Sequence, residues 1–219
     1  MTLLPDFTYD PPPGDPVILF EDDRILVVDK PSGLLSVPGK REGREDCLMA
    51  RLEAFRPGAL LVHRLDCDTS GVIIFARDKA AQAYLGQEFE KRRAKKAYVA
   101  RVAGGLAEDR GRVDLPIAAD WDYRPRQKVD FERGRPAVTD WEVISRGETE
   151  TRVRMFPLTG RSHQLRVHML SLGHPILGDP IYAEATAADH PRLMLHAERL
   201  ALHHPTGGGW VEFTSDCPF

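Results

Sequence analysis

The chain has 219 residues, 42% of them apolar and 29% charged, with a net charge of −3 at neutral pH, enough for one or two domains with a substantial core. No apolar run approaches the roughly 18 residues of a membrane helix, and Met1 to Pro16 has neither the basic lead nor the apolar centre of a signal peptide. Cys47, Cys67 and Cys217 show no paired spacing, which argues against a disulfide framework or a zinc motif, so a soluble cytoplasmic protein is expected.

Residues 1–16 are rich in proline (Pro5, Pro11, Pro12, Pro13, Pro16) and predict an irregular arm ahead of a single domain over 17–219. Val17 to Phe20 and Ile25 to Val28 flank a polar turn as a hairpin would. Lys30-Pro31-Ser32-Gly33 then turns the chain toward a further strand, Leu34 to Val37, with Lys30 read as structural. Asp46 to Phe55 repeats Leu48, Met49, Leu52 and Phe55 as an amphipathic helix does, capped near Asp46 and stopped by Pro57-Gly58. Leu60 to Val62 and Val72 to Phe75 are short buried-strand candidates. A second helix starts at Asp78, with Ala81, Leu85 and Phe89 as its stripe. It runs into an acid-free cluster of Lys91, Arg92, Arg93, Lys95, Lys96 and Arg101, the kind of footprint that phosphates reward. The negative total hides this cluster, because Met1 to Asp29 alone contributes −6 and leaves +3 for the remainder.

Ala97 to Val102 alternates as a strand. Residues 104–136 show little periodicity and predict a long irregular insert, in which Trp121 and Tyr123 interleave with Arg124, Arg126 and Lys128. Rings that stack on bases and cations that meet phosphates suit such a loop for exposed nucleotides. Val138 to Ser145 and Thr151 to Pro157 read as an antiparallel pair, and Leu193 to Leu202 and Val211 to Thr214 as closing strands. Between them, Ser162 is the expected N-cap of a helix with Leu165, Met169 and Leu172 as its stripe and Gly173 as its stop. Arg166 lies about 100 degrees from Leu165 on that helix, at the margin of the stripe. His163 and His168 are five apart, which suits hydrogen-bonded structural histidines better than metal ligands.

The densest chemistry is His63-Arg64-Leu65-Asp66-Cys67-Asp68-Thr69-Ser70-Gly71, a polar excursion between two apolar runs, with Thr69, Ser70 and Gly71 as its turn. Asp66 and Asp68 invite a two-carboxylate glycosidase reading, yet two residues so close in the chain leave no room for a sugar between them. One working acid is the better reading, and Asp66, nearest Arg64, is the choice. A Ser70-His63-Asp66 hydrolase fails for lack of the nucleophile-elbow glycines.

This stretch resembles the His-Arg-Leu-Asp-x-x-Thr-Ser-Gly signature of the RluA family of pseudouridine synthases. The resemblance continues, in order, through Lys30-Pro31-Ser32-Gly33, Lys96-Ala97-Tyr98, Gly160-Arg161-Ser162-His163-Gln164-Leu165-Arg166-Val167-His168 and Leu195-His196-Ala197. Val113-Asp114-Leu115-Pro116 and the run from Trp121 to Val129 resemble a member that modifies both a tRNA anticodon stem-loop and a 23S rRNA hairpin.

The resemblance implies an α+β fold, with a central mixed, mainly antiparallel sheet, flanking helices and an active-site cleft, and without the extra N-terminal RNA-binding domain of some members. It implies isomerisation of uridine already in RNA, with tRNA and rRNA as partners, no membrane, a monomer, and no cofactor or metal. Asp66 would be the catalytic carboxylate, as nucleophile or as base. Arg166 would pair with it, Tyr98 would stack on the target base and Leu195 would close its other side. Arg64, with Lys95, Lys96, Arg126 and Lys128, would bind the RNA and hold the flipped nucleotide. A hydrolytic N-glycosylase and a catalytically inert RNA-binding module are the competing readings; neither explains one acid and Arg166 in these contexts.

Overall fold

The computed structural model describes residues 8–183 and 189–219, so residues 1–7 of the expected arm lie outside the described residues. Strands dominate, three α-helices accompany them among the described residues, and most of the strand pairings are antiparallel while the strands Ser70–Ala76 and Leu195–His203 pair in parallel, which makes the fold a mixed α+β one. The chain packs as two units, Tyr9–Lys96 with His196–Phe219, and Ala97–Leu195.

In the first unit, β1 (Val17–Glu21) and β2 (Ile25–Lys30) form the expected hairpin. Its turn is fixed by the Asp22 carboxylate, which accepts from the backbone of Arg24 and Ile25 at 2.8 Å each. β2 pairs antiparallel with β4 (Ser70–Ala76), and the other edge of β4 is shared by β3 (Leu60–Leu61) and, in parallel, β11 (Leu195–His203). β12 (Trp210–Thr214) continues from β11. Every residue of β4 is buried, as a strand covered on both faces must be. Helix α2 (Lys79–Glu90) lays Ala81 and Leu85 on Ile25, Val27, Val72, Ile74, Leu200 and Leu202, and its N-terminus is capped by the Asp78 carboxylate on the Ala81 amide at 2.8 Å.

Three local expectations fail here, each for a hydrogen-bonding reason. Leu34 to Val37 is not a strand, because the carbonyls of Leu35 and Ser36 take the Leu48 and Met49 amides at the start of helix α1 (Leu48–Phe55). The cap of α1 is Cys47, whose sulfur accepts from the Ala50 amide at 3.4 Å, while Asp46 is taken by a two-pronged pair with Arg51. The turn of the signature falls at Cys67-Asp68, and Ser70 and Gly71 are already strand.

In the second unit β5 (Lys95–Ala103) from Ala97 onward, β10 (Glu150–Pro157), β9 (Val138–Arg146) and β6 (Arg110–Asp114) form an antiparallel sheet. β10 alternates cleanly, with Thr151, Val153, Met155 and Pro157 inward and Arg152 and Arg154 on the other face. The insert over 104–136 is more regular than its composition predicts. Besides β6 it forms a small hairpin of β7 (Ile117–Ala119) and β8 (Gln127–Val129), with a 3-10 turn at Trp121–Tyr123 between them. A short period hides in so few residues, and the strands are held by Ile117, Ala137, Val167 and Tyr182 rather than by their own pattern.

Helix α3 (Gln164–Ser171) starts one residue later than expected. Its N-cap position is His163, in left-handed conformation at φ 54, and Ser162 makes no cap. The Gln164 side chain substitutes, accepting from the Arg161 amide at 3.0 Å and from the Thr159 hydroxyl at 2.7 Å. Gly173 is the stop, at φ +82, which glycine adopts without strain.

Candidate active site

The signature stretch leaves β3, loops out and returns as β4, and its backbone is held from several sides. Lys30, fully buried, donates its three ammonium protons to the carbonyls of Pro31 (2.9 Å), Leu34 (2.7 Å) and Cys67 (2.8 Å). The Ser32 hydroxyl donates to the Asp68 carbonyl at 2.6 Å, and Ser36 Oγ donates to the Leu65 carbonyl and accepts from its amide. Two of these grips lie just before and just after Asp66, which is itself half-buried, and whose carbonyl closes the turn to the Thr69 amide. Lys30 is structural, as read, but through a buried carbonyl cage rather than as a turn charge.

The loop's exit is set by a close approach. Gly71 has φ +109, and a Cβ there would lie 2.2 Å from the Ala197 carbonyl oxygen, so only glycine lets β11 come this near. Beside it the Ser70 hydroxyl meets His196 Nδ1 at 2.8 Å, and His196 Nε2 meets the Ser215 carbonyl at 3.0 Å. Since a carbonyl only accepts, Nε2 carries the proton and Ser70 is the donor to Nδ1. Ser70 is thereby engaged with His196, not with His63.

His63 is a packing residue. Its Nε2 accepts from the Ile74 amide at 3.2 Å, its ring stacks on Phe89 at 4.5 Å, and burial, aided by the charge of Lys96, pushes its pKa down to about 3. Burial, with Asp68 beside it, pushes the Cys67 thiol up to about 12, so it serves as a neutral donor to the Gly33 carbonyl and not as a nucleophile. Arg64 is exposed and makes no hydrogen bond or ion pair among the described residues. Lys95 is exposed and Lys96 half-buried, with burial pulling the Lys96 pKa down to about 8.

In the second unit Arg166 is 2% exposed, and its Nε and Nη2 grip the two oxygens of the fully buried Asp179 at 2.7 Å each. Asp179 also accepts from the amides of Ile181 (2.9 Å) and Tyr182 (3.1 Å), and the Arg166 guanidinium carbon lies 5.1 Å from the centre of the Tyr182 ring. Tyr98 is a half-buried residue of β5 opposite Met155, and Leu195 is buried at the start of β11. The Arg126 guanidinium lies 5.5 Å from the same Tyr182 ring, and Lys128 stands 3.6 Å from Asp120. His168 is held by the Thr139 hydroxyl and the Leu115 carbonyl, with burial lowering its pKa.

The profile of the RNA pseudouridylate synthase family matches residues 24–171, two thirds of the chain. The chain belongs to that family. Among its relatives, the "Dual-specificity RNA pseudouridine synthase RluA" of Escherichia coli (strain K12) is 53% identical over 212 residues, covering 95% of this chain and 97% of its own. The protein of the same name from Yersinia pestis is 51% identical over 205 residues, covering 93% and 100%. The solved structure of human RNA Pseudouridylate Synthase Domain Containing 1 is 34% identical and superposes with a TM-score of 0.79, over 95% of this chain and 87% of that one.

This synthase thus has a carboxylate on a fixed loop in one unit and a buried arginine with its own acid in the other. Asp179 is the residue that sequence reasoning missed. Its only local signal is Gly178-Asp179-Pro180 in a stretch without periodicity, where Gly178, at φ +69, has no room for a Cβ beside the Arg192 carbonyl.

Proposed function

We propose that this synthase isomerises uridines in two structured RNAs, a tRNA anticodon stem-loop and a 23S rRNA hairpin, acting in the cytoplasm as a single-domain monomer without cofactor or metal. The observation that carries the reading is the half-buried Asp66 on a loop gripped on both sides by Lys30, Ser32 and Ser36. Dual specificity is the property named in the relatives, and the likeness of Trp121 to Val129 to such a member supports it.

In the reaction the N1–C1′ bond of uridine breaks, uracil rotates, and C5 joins C1′ as the C5 proton leaves and N1 regains one. Nothing is oxidised or reduced. Asp66 supplies an ionised oxygen, toward the sugar carbon or toward a sugar proton. Arg166, whose Nε and Nη2 are held by Asp179, has the role that the family resemblance implies for it, keeping Asp66 ionised. Tyr98 stacks on the uracil and Leu195 closes its other side. The test is incubation with each stem-loop, which should yield an RNA of unchanged mass whose target blocks reverse transcription after carbodiimide treatment. Loss of the base would identify an N-glycosylase, and unaltered RNA an inert binding module.

Arg64 fills the gap left by the flipped nucleotide and holds its phosphate, a role supported by its exposure and lack of partners among the described residues. Arg64→Met is expected to reduce turnover by more than tenfold on a folded stem-loop and only a few-fold on RNA whose target uridine is unpaired and unstacked. Equal losses on both, or a collapsed melting temperature, would make Arg64 a structural residue.

Lys95 and Lys96 meet phosphates. Replacing both with glutamine should weaken binding to any RNA and flatten the log–log salt dependence by about 0.7 to 0.9 for each phosphate no longer neutralised. Because Lys96 is charged below about 8 and neutral above it, wild-type affinity should also fall as pH rises through that value, and the Lys96→Gln protein should lack this step. A titration series by fluorescence anisotropy measures both effects; an unchanged slope rejects the assignment.

A further inference from the structure

In the first unit, residues 9–14 of the proline-rich arm lie along residues 32–36 and the start of α1. The Tyr9 hydroxyl donates to the Asp46 carbonyl at 2.7 Å and accepts from the Leu35 amide at 3.1 Å, so a single oxygen bridges the two. Arg51, already paired with Asp46, donates through Nη1 to the Gly14 carbonyl at 2.9 Å. Between these ties Pro12 covers Gly33: its Cδ would stand 3.5 Å from a Cβ placed there. Pro11, Pro12 and Pro13 each restrict φ to about −65°, which removes much of the entropy that an arm without regular structure would lose on being held.

The segment under the arm is the one that grips the Asp66 loop. Ser32 and Ser36 hold the Asp68 carbonyl and both backbone groups of Leu65, and the Gly33 amide donates to the Cys67 carbonyl at 3.0 Å. Leu35 and Ser36 in turn give their carbonyls to the first amides of α1. The path from the arm to the acid is short. The Tyr9 hydroxyl holds Leu35, the hydroxyl of the next residue holds Leu65, and Asp66 follows. Burial raises the Tyr9 pKa, so the hydroxyl keeps its proton, and its donor role toward Asp46, through the neutral range.

We propose that Tyr9 is a positioning residue for the isomerisation, bracing residues 32–36 so that they hold the Asp66 carboxylate at its working place. The brace acts through Leu35 and Ser36, and it rests on Asp66 being the catalytic carboxylate. Tyr9→Phe keeps the ring, removes the hydroxyl and leaves the Leu35 amide without that acceptor.

The test compares full-length wild type, Tyr9→Phe, Ser36→Ala and the double variant in single turnover at saturating stem-loop RNA. Tyr9→Phe should slow isomerisation on the order of ten- to a hundredfold, the scale of a small misplacement of a reacting group, with RNA affinity by anisotropy within about twofold. The double variant should be no slower than Ser36→Ala alone, because both substitutions loosen one grip. Amide exchange reads that grip without activity: the Leu65 amide should exchange on the order of tenfold faster in Tyr9→Phe, while the Ala81 amide, capped by Asp78 on α2, keeps its wild-type rate. An unchanged rate, a loss carried by affinity, losses that multiply in the double variant, or equal acceleration at Leu65 and Ala81 would each overturn the proposal. Should Ser36→Ala fail to fold, the rate, affinity and exchange of Tyr9→Phe decide. Asp66→Asn, run beside them, separates the two readings: turnover by that protein overturns the role of Asp66 and the brace with it, whereas its inactivity beside an unimpaired Tyr9→Phe overturns the brace alone.

Discussion

Asp66→Asn should leave a folded protein that binds RNA within a few-fold of wild type and shows no measurable isomerisation, a loss greater than about 10⁴-fold, the upper end of what general acid–base catalysis alone contributes. The substitution keeps the volume and removes only the ionised oxygen. The grips on the loop do not use the Asp66 side chain: Lys30 holds the Cys67 carbonyl, Ser32 the Asp68 carbonyl and Ser36 the Leu65 backbone, so the loop should stay where it is. RNA affinity should survive because phosphate and base contacts are assigned to other residues. Single-turnover assays with carbodiimide mapping would measure it. Residual turnover by the asparagine protein, with wild-type contamination excluded, would remove Asp66 from the chemistry.

Asp179→Ala should destabilise the protein by about 3 to 5 kcal/mol, the range for stripping the partner from a buried ion pair. Arg166 is 2% exposed, and Asp179 supplies acceptors for its Nε and Nη2 as well as for two backbone amides. Without it a cation and two amides are left in a dry site. The double variant Arg166→Met, Asp179→Leu should recover much of this loss, since paired apolar replacement of a buried ion pair is often near neutral. Urea midpoints measure stability in both. Activity then tests the catalytic duty proposed for Arg166 beside its structural one: on that proposal the double variant should be stable and inactive. A stable and active double variant would reduce the pair to a structural one.

The Asp66 loop and the Arg166–Asp179 pair differ in how visible they are in the sequence. The Asp66 loop is legible because its chemistry is contiguous: a cation, two acids, hydroxyls and a glycine interrupt apolar runs that become β3 and β4. The paired strands β9 and β10 and the helix α2 are legible because a period of 2 or 3.6 runs long enough to count. The Arg166–Asp179 pair is 13 residues apart across a loop without periodicity, and nothing in the chain order says that the two meet. The β7–β8 hairpin is hidden for a different reason, since three-residue strands carry no pattern and depend on Val167 and Tyr182 from elsewhere. Caps fail at the scale of single hydrogen bonds: Asp46 is an excellent cap by type, but Arg51 claims it, and Cys47 takes the position.

The grips on the Asp66 loop have a bearing on the order of folding. Lys30 reaches Cys67 across 37 residues, Ser32 reaches Asp68 across 36, and Ser36 reaches Leu65 across 29. Closing such loops is entropically unfavourable until the flanking strands have already met. The geometry around Asp66 therefore forms late and is shared by two distant segments, with β2 and β4 paired between them. An intermediate holding either segment alone has the carboxylate but not its position, so activity should return only in the final cooperative step of refolding and never ahead of it.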